Sequence, residues 1–391
     1  MPRRRVAVTG VGAVTPVGIG VDAFWHGLCA PQPATAQRRV EDFDPELYFD
    51  NPKETRRADR FTQLAMAAAT EALAQAGPLT TDPTRIGVWV GTGVGGIDTL
   101  EAQIIVCHDK GPKRVSPFLI PMMMANAAAA SISMRWGFQG PCENTATACA
   151  AGTHSIGNAA RLIQAGTCDV VIAGGSESSM GRTAIAGFTN MTALSSSGVS
   201  RPFDRDRDGF VIAEAAGILV LEDWDTAVAR GATILAEVLG SASTADAHHI
   251  TAPAPGGSGA IRCMRNALID AAISAADVRH INAHGTSTPL NDAAEADAMA
   301  AVFGDLRPIV TSTKGVTGHT LGAAGAIEAI AVVLSMQHGL VPPTDGHVHD
   351  DPAMAPIDLV VGAPRPWTPG VSISNSFGFG GHNGTVVLGA V

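Results

Sequence analysis

The strongest constraint on this chain is an alternation that runs through it and then restarts. Arg5-Val6-Ala7-Val8-Thr9, Ile86-Gly87-Val88-Trp89-Val90 and Asp169-Val170-Val171-Ile172-Ala173 are apolar runs of strand length, each followed by glycine. Runs apolar at every position belong to strands covered on both faces. Between them, residues 61–76, 126–136 and 153–165 are Ala-rich and helical in pattern. The second half begins the cycle again with a strand at 234–239 and a long helix at 259–275. A strand at 280–283, an Ala-rich helix at 322–338 and a closing hairpin of 371–374 with 385–388 follow. The pattern predicts an α/β fold with a parallel or mixed sheet, built as two duplicated halves, 1–240 and 241–391. At 391 residues, two domains or one large double-layered unit are both accommodated. The charged segment 201–208 reads as a surface loop.

Composition narrows the function classes. With 46% apolar and 16% charged residues, the chain can bury a large core. No window reads as the long uncharged apolar run of a membrane helix. The start Met1-Pro2-Arg3-Arg4-Arg5 passes into a strand, not into the apolar stretch of a signal peptide. A net charge of −10 argues against a nucleic-acid surface over the whole molecule. Locally, Lys53, Arg56, Arg57 and Arg60 form a basic cluster, either a solvated helix face or a docking patch. The six cysteines are scattered without a Cys-x-x-Cys pair, a reduced, cytoplasmic pattern rather than a disulfide or zinc framework. His347 and His349 beside Asp350 and Asp351 read as a solvated loop, since no third ligand group has matching spacing; no metal is expected. The glycines of residues 91–96 read as a tight turn, because a dinucleotide fingerprint also needs a second strand closing in an acidic residue.

Four motifs carry chemistry. Cys149 lies in Thr147-Ala148-Cys149-Ala150-Ala151-Gly152, small residues that precede an apolar helical pattern at Ile156, Ala159, Ala160 and Ile163. This places the thiol at a strand-to-helix turn, where free amides and the helix dipole favour thiolate and lower its pKa. His284 ends a strand and is followed by Gly285-Thr286-Ser287-Thr288. Lys314-Gly315-Val316-Thr317-Gly318-His319 leads into the Gly/Ala-rich helix. Asn375-Ser376-Phe377-Gly378-Phe379-Gly380-Gly381-His382-Asn383 is a glycine-rich turn between the closing strands.

In this order, together with Ser200-Arg201-Pro202-Phe203-Asp204 and Arg207-Asp208-Gly209-Phe210, these motifs resemble the β-ketoacyl-acyl-carrier-protein synthases of the elongating branch. The resemblance covers essentially the whole chain. It implies a thiolase-like five-layered α/β/α/β/α fold, two duplicated halves and an obligate dimer. It also implies a decarboxylating Claisen condensation of an acyl group on Cys149 with malonyl-acyl-carrier protein, lengthening fatty-acid or polyketide chains by two carbons. No cofactor is expected beyond the phosphopantetheine that carries the substrates.

By the same resemblance, His284 and His319 bind the malonyl thioester carbonyl, and Lys314 pairs with Glu328. The amides of Cys149 and Phe379 form an oxyanion hole, and the Phe379 ring gates the acyl pocket. Phe188 is an aromatic wall of that pocket or an ordinary core residue. Thr286 and Thr288 line the pantetheine arm; Asp246, His249 and Thr251 belong to a mobile loop opposite the gate. Val94 bounds the far end of the acyl channel at the dimer interface, with Pro121-Met122-Met123-Met124 as adaptable walls. The basic cluster docks the acidic carrier. His382 departs from the threonine common in this motif. A degradative thiolase is set aside because no cysteine follows Cys263. A non-catalytic chain-length-factor-like subunit loses the cysteine, so this chain is the catalytic member, as a homodimer or as the partner of such a subunit.

Overall fold

Residues 3–391 are described in the structure, a computed structural model; the expectation for Met1 and Pro2 lies outside them. The apolar runs form a mixed twelve-stranded sheet. Within it, two sets of five strands share one pairing pattern. In the first set Val6–Thr15 is antiparallel to Ala215–Asp223, which is antiparallel to Val170–Glu177. Val170–Glu177 is parallel to Ile86–Gly91, and that strand is parallel to Cys142–Glu143. The second set repeats this with Ala236–Ala245, His382–Gly389, Val371–Gly378, Val278–Asn282 and Ile309–Thr311. The sets meet through two residue pairs, Ala7 with Glu237 and Val8 with Ala236. Residue 240 falls within the strand that opens the second set.

Helices complete the layers. Ala151–Gln164 and Ala324–His338 lie between the two sets, where Ile156, Ile163, Ile327 and Ile330 pack with Leu219 and Val386. Arg60–Ala76 and Ala127–Trp136 cover the outer face of the first set against Val88, Ile172 and Val220. Ser258–Asp270 and Pro289–Phe303 cover the second set against Ile281, Val310 and Val387. The result is α/β/α/β/α. Alanine and glycine make the layers close: a Cβ at Gly12 would lie 2.0 Å from the carbonyl oxygen of Ala68.

Two expectations change, and the basic start gains partners. Segment 201–208 is largely interior, with Phe203, Asp204 and Arg207 buried; Arg207 reaches Asp351 and the Asp204 carbonyl. A segment of spanning length does exist: Leu321–His338 has mean hydropathy 1.3, yet 89% of it is buried inside the protein. It is apolar because the two sets of strands enclose it. The basic start is consumed by ion pairs of Arg3 with Asp270, Arg4 with Asp169 and Arg5 with Glu237.

Candidate active site

The middle helix Ala151–Gln164 is entered through a single turn of 3-10 helix, Ala148–Ala150. Ala148 takes φ of 49°, an uncommon conformation for a residue with a side chain, and this turn points Cys149 toward the second half. Gly378 permits the approach from the other side, since a Cβ there would lie 3.0 Å from the Cys149 nitrogen. The amides of Phe379 and Cys149 are both directed at the sulfur. The expected lowering of the thiol pKa is not what results. Cys149 is only 6% exposed, and burial pushes its thiol up to about 11, against the pull of Lys314 and the two amides.

His319 Nε2 stands 3.0 Å from Cys149 Sγ. Its Nδ1 is buried without a partner among the described residues. An orphaned acceptor costs less than an orphaned donor, so the proton sits on Nε2 and points at the sulfur. The edge of Phe210 fixes this ring, with centroids 5.1 Å apart. His284 lies across from it at 5.4 Å and 83°. Lys314 Nζ is 3.3 Å from His284 Nδ1; an ammonium only donates, so Nδ1 accepts and Nε2 bears the proton. Burial first, then the Lys314 charge, holds both histidines well below the usual imidazole range. Two neutral rings with N–H groups toward one space are therefore in place.

Lys314 pairs with Glu328 as expected, both buried. Burial raises the Glu328 carboxyl to about 7 against the attraction of Lys314. Sequence reasoning missed Glu295, whose two oxygens accept the amides of His284 and Gly285 at 2.8 Å each. The available signal was an acid nearly two turns inside Pro289–Phe303, on the same buried face as Asp292, Ala296, Met299 and Phe303.

Cys149, His284 and His319 open into a cavity of about 340 Å³ that also meets Asp246, Thr251, Thr286, Thr288 and Phe379. Thr286 and Thr288 hydroxyls are 3.0 Å apart. The loop after Asp246 is tied to the glycine turn: the Asp246 amide donates to Gly381 and the Gly380 amide to Ile250. His249 Nδ1 accepts the Thr251 amide. Phe210, Met191 and Leu290 also line the space and were not foreseen. Phe188 stands one layer back, edge-on to Phe210 at 5.6 Å. His382 is half-buried and pairs across the hairpin with Gly378.

Other expected residues lie elsewhere. Val94 is outside the cavity and 47% exposed. Its loop packs on Met122 and Met123, and Met124 is likewise exposed, so within one chain these methionines are not pocket walls. The loop 91–96 is a tight turn that closes on protein, Gly93 donating to Glu177 at 2.5 Å. Lys53, Arg56 and Arg57 are exposed, but Arg60 is not part of that cluster. It reaches inward to buried Glu214 at 2.9 Å and lies over the Phe43 ring.

Among the described residues, two groups have the donor spacing of a metal site. One is Cys149, His284 and His319, where the Lys314 cation 3.3 Å from His284 opposes a second cation. The other corrects the reading of residues 347–351, because Asp204 and Asp206 come up beside His349. There Asp206 already accepts from His349 and Asp204 from three backbone amides.

The geometry has relatives. The family models described as Beta-ketoacyl synthase, N-terminal domain and C-terminal domain match residues 30–227 and 235–347. The 3-oxoacyl-(acyl-carrier-protein) synthase 2 of Synechocystis sp. is 43% identical over 411 residues, covering 99% of this chain and 98% of that protein. Among solved structures, the ishigamide ketosynthase/chain length factor superposes with TM-score 0.93 at 34% identity, covering all of both chains. A type II PKS acyl-carrier protein in complex with its ketosynthase bound to the hexaketide gives 0.90 at 31% identity, again over both whole chains. In sequence, in fold and in the order of its motifs, this chain belongs to the β-ketoacyl synthase family of condensing enzymes.

Proposed function

We propose that this chain performs a decarboxylating condensation on carrier-bound substrates, with Cys149 holding the growing acyl group. One observation carries the reading: a buried cysteine with two amides on its sulfur and two neutral histidines opposite. The Cys149 sulfur attacks the acyl thioester, and the carrier thiol leaves with the proton. In the second half-reaction the malonyl carboxylate departs as carbon dioxide, and its electron pair enters the thioester as an enolate. The Nε2–H groups of His284 and His319 donate to that oxygen as charge develops. The enolate carbon then attacks the acyl carbonyl on Cys149. The oxygen of that carbonyl is received by the Cys149 and Phe379 amides; the adduct collapses, Cys149 leaves as thiolate, and it takes one proton from solvent in the cavity to return to the thiol. Imidazoles kept neutral by burial suit this task, because they stabilise charge without first giving up a proton.

The partner in this reading is an acyl carrier protein, docked at Lys53, Arg56 and Arg57; no further cofactor is required, and the setting is the reduced cytoplasm. Fatty-acid and polyketide elongation share this chemistry. A second subunit is supported by one apolar face. The packed helices Ile97–Lys110 and Leu119–Met123 leave Ile104, Ile105 and Ile120 exposed, and exposed Val94 lies close by. That subunit is a second copy or a chain-length-factor-like partner, as in the ketosynthase/chain length factor relative; native mass of the assembly from its own host separates them. The central test is incubation with acylated carrier, digestion and mass mapping. Acyl mass on Cys149 is expected; label on Cys142 or Cys168 with Cys149 untouched overturns the proposal.

A further inference from the structure

His154 lies just past one turn beyond Cys149 on the helix Ala151–Gln164, buried, and the condensation makes no use of it. Its Nε2 is 3.0 Å from the carbonyl oxygen of Asn383. A carbonyl only accepts, so Nε2 bears the proton. Nδ1, 2.8 Å from Thr147 Oγ1, is then an acceptor for the threonine hydroxyl. Burial lowers the pKa of this ring, in keeping with a single proton. The bond partners matter. Thr147 immediately precedes Ala148, the residue held at φ of 49° in the nucleophile turn. Asn383 belongs to the strand that leaves the glycine turn, and its side-chain amide donates to Asp246 at 2.7 Å. The Asp246 carboxylate in turn accepts the Ala254 amide at 3.0 Å. Room for the ring is built in, since a Cβ at Gly384 would stand 3.0 Å from it.

We propose that His154 is a positioning residue, a link of fixed tautomer that carries the state of the Cys149 turn to the loop of residues 246–254 at the cavity mouth. Loading of the thiol displaces the turn, Thr147 pulls on the ring, and the ring pulls on Asn383 and the loop behind it. A second stitch, Thr153 Oγ1 to Ser376 Oγ at 2.8 Å, joins the same helix and hairpin without touching Thr147, which makes it an internal control. The inference rests on Cys149 being the group that is loaded, so the test loads it chemically.

In a parent background carrying Cys107→Ser and Cys142→Ser, which removes the two exposed thiols, Cys149 is alkylated with iodoacetamide, peptide mass mapping confirms that site, and amide hydrogen exchange in residues 246–254 is compared before and after. In the parent protein the rates should change about three- to tenfold, the range set by one neutral hydrogen bond. Thr147→Val, which removes the hydroxyl at constant shape, and His154→Gln, which keeps a donor near Nε2 but no acceptor at Nδ1, should hold the change below about 1.5-fold. Thr153→Val should respond like the parent. No change in the parent, or a parent-like response in Thr147→Val, overturns the link. If His154→Gln fails to fold, Thr147→Val decides alone. A parent that shows the exchange response but never takes up acyl groups refutes the proposed function and leaves the link standing.

Discussion

The two middle helices are entered by the same backbone device and use it differently. Ala148 before Ala151–Gln164 and Leu321 before Ala324–His338 both adopt left-handed φ, 49° and 48°, and each opens one 3-10 turn. In the same register Cys149 of the first turn corresponds to Gly322 of the second. Cys149 directs its amide to its own sulfur, beside a cavity. Gly322 offers its amide to buried Glu177 and lies so close to the first half that a Cβ would stand 2.1 Å from the Gly93 nitrogen. His154 on the first helix corresponds in that register to Ile327 on the second, a hydrogen-bonded ring in one and a packing residue in the other. A positive helix end is thus no active site by itself. It becomes one where an open space and the histidines of the other half meet it.

Breaking the catalytic turn has the largest effect. Cys149→Ala should abolish condensation yet leave decarboxylation of malonyl-carrier protein measurable as carbon dioxide. His319→Ala should do the reverse, keeping acyl loading and reducing carbon dioxide release by on the order of 10²-fold or more. Parent-rate decarboxylation by the His319 variant would remove this histidine from the mechanism. Breaking the packing turn should look different. Gly322→Ala inserts a Cβ against backbone and should cost about 1–3 kcal/mol of unfolding free energy. Unchanged stability in denaturant would mean the turn relaxes and the contrast is weaker than drawn.

The ion pair below the second turn sharpens the contrast further. Ser155 on the first helix corresponds to Glu328 on the second, where Lys314 balances a buried acid. Lys314→Ala strands that acid and should cost about 3–5 kcal/mol, with both half-reactions impaired. Lys314→Met combined with Glu328→Gln should recover most of the stability. A double variant as unstable as the single one would show that packing, not charge, is at stake.

Glu177 gives a pH signature to the packing turn. Burial raises its carboxyl to about 7 from 4.5. A raised folded pKa means the folded state binds the extra proton. That contribution is complete below about pH 4.5 and is lost as pH rises through 7. Glu177→Gln should therefore narrow the difference in stability between pH 5 and pH 8 by on the order of 1–3 kcal/mol. Equal pH dependence in parent and variant, followed by thermal unfolding, would contradict the assignment. The smallest effect belongs to the surface. Reversing Lys53 and Arg56 should raise the carrier KM a few-fold, more at low salt than at about 0.15 M, with kcat little changed. Arg60→Ala should instead lower stability, because it abandons Glu214 inside the protein.

What the chain alone determined was the layering and the chemistry-bearing types. Strand and helix periods follow from side chains close in sequence, so the repeated α/β alternation, the closing hairpin and the position of Cys149 at a helix start were legible. Ordered motifs also named His284, His319 and Lys314 with Glu328. Tertiary structure decided what depends on burial and on partners far apart in the chain. The thiol pKa rises rather than falls because side chains of both halves, Met180, Phe210 and Ile212 with Leu321, cover Cys149, and desolvation outweighs the helix end. Arg60 left the basic cluster because Glu214, distant in sequence, takes its charge. Glu295 and His154 became visible only when folding set them against the backbone of His284 and Asn383. Local sequence encodes which groups are available; the free energy of removing water from them is set by neighbours the sequence does not place side by side.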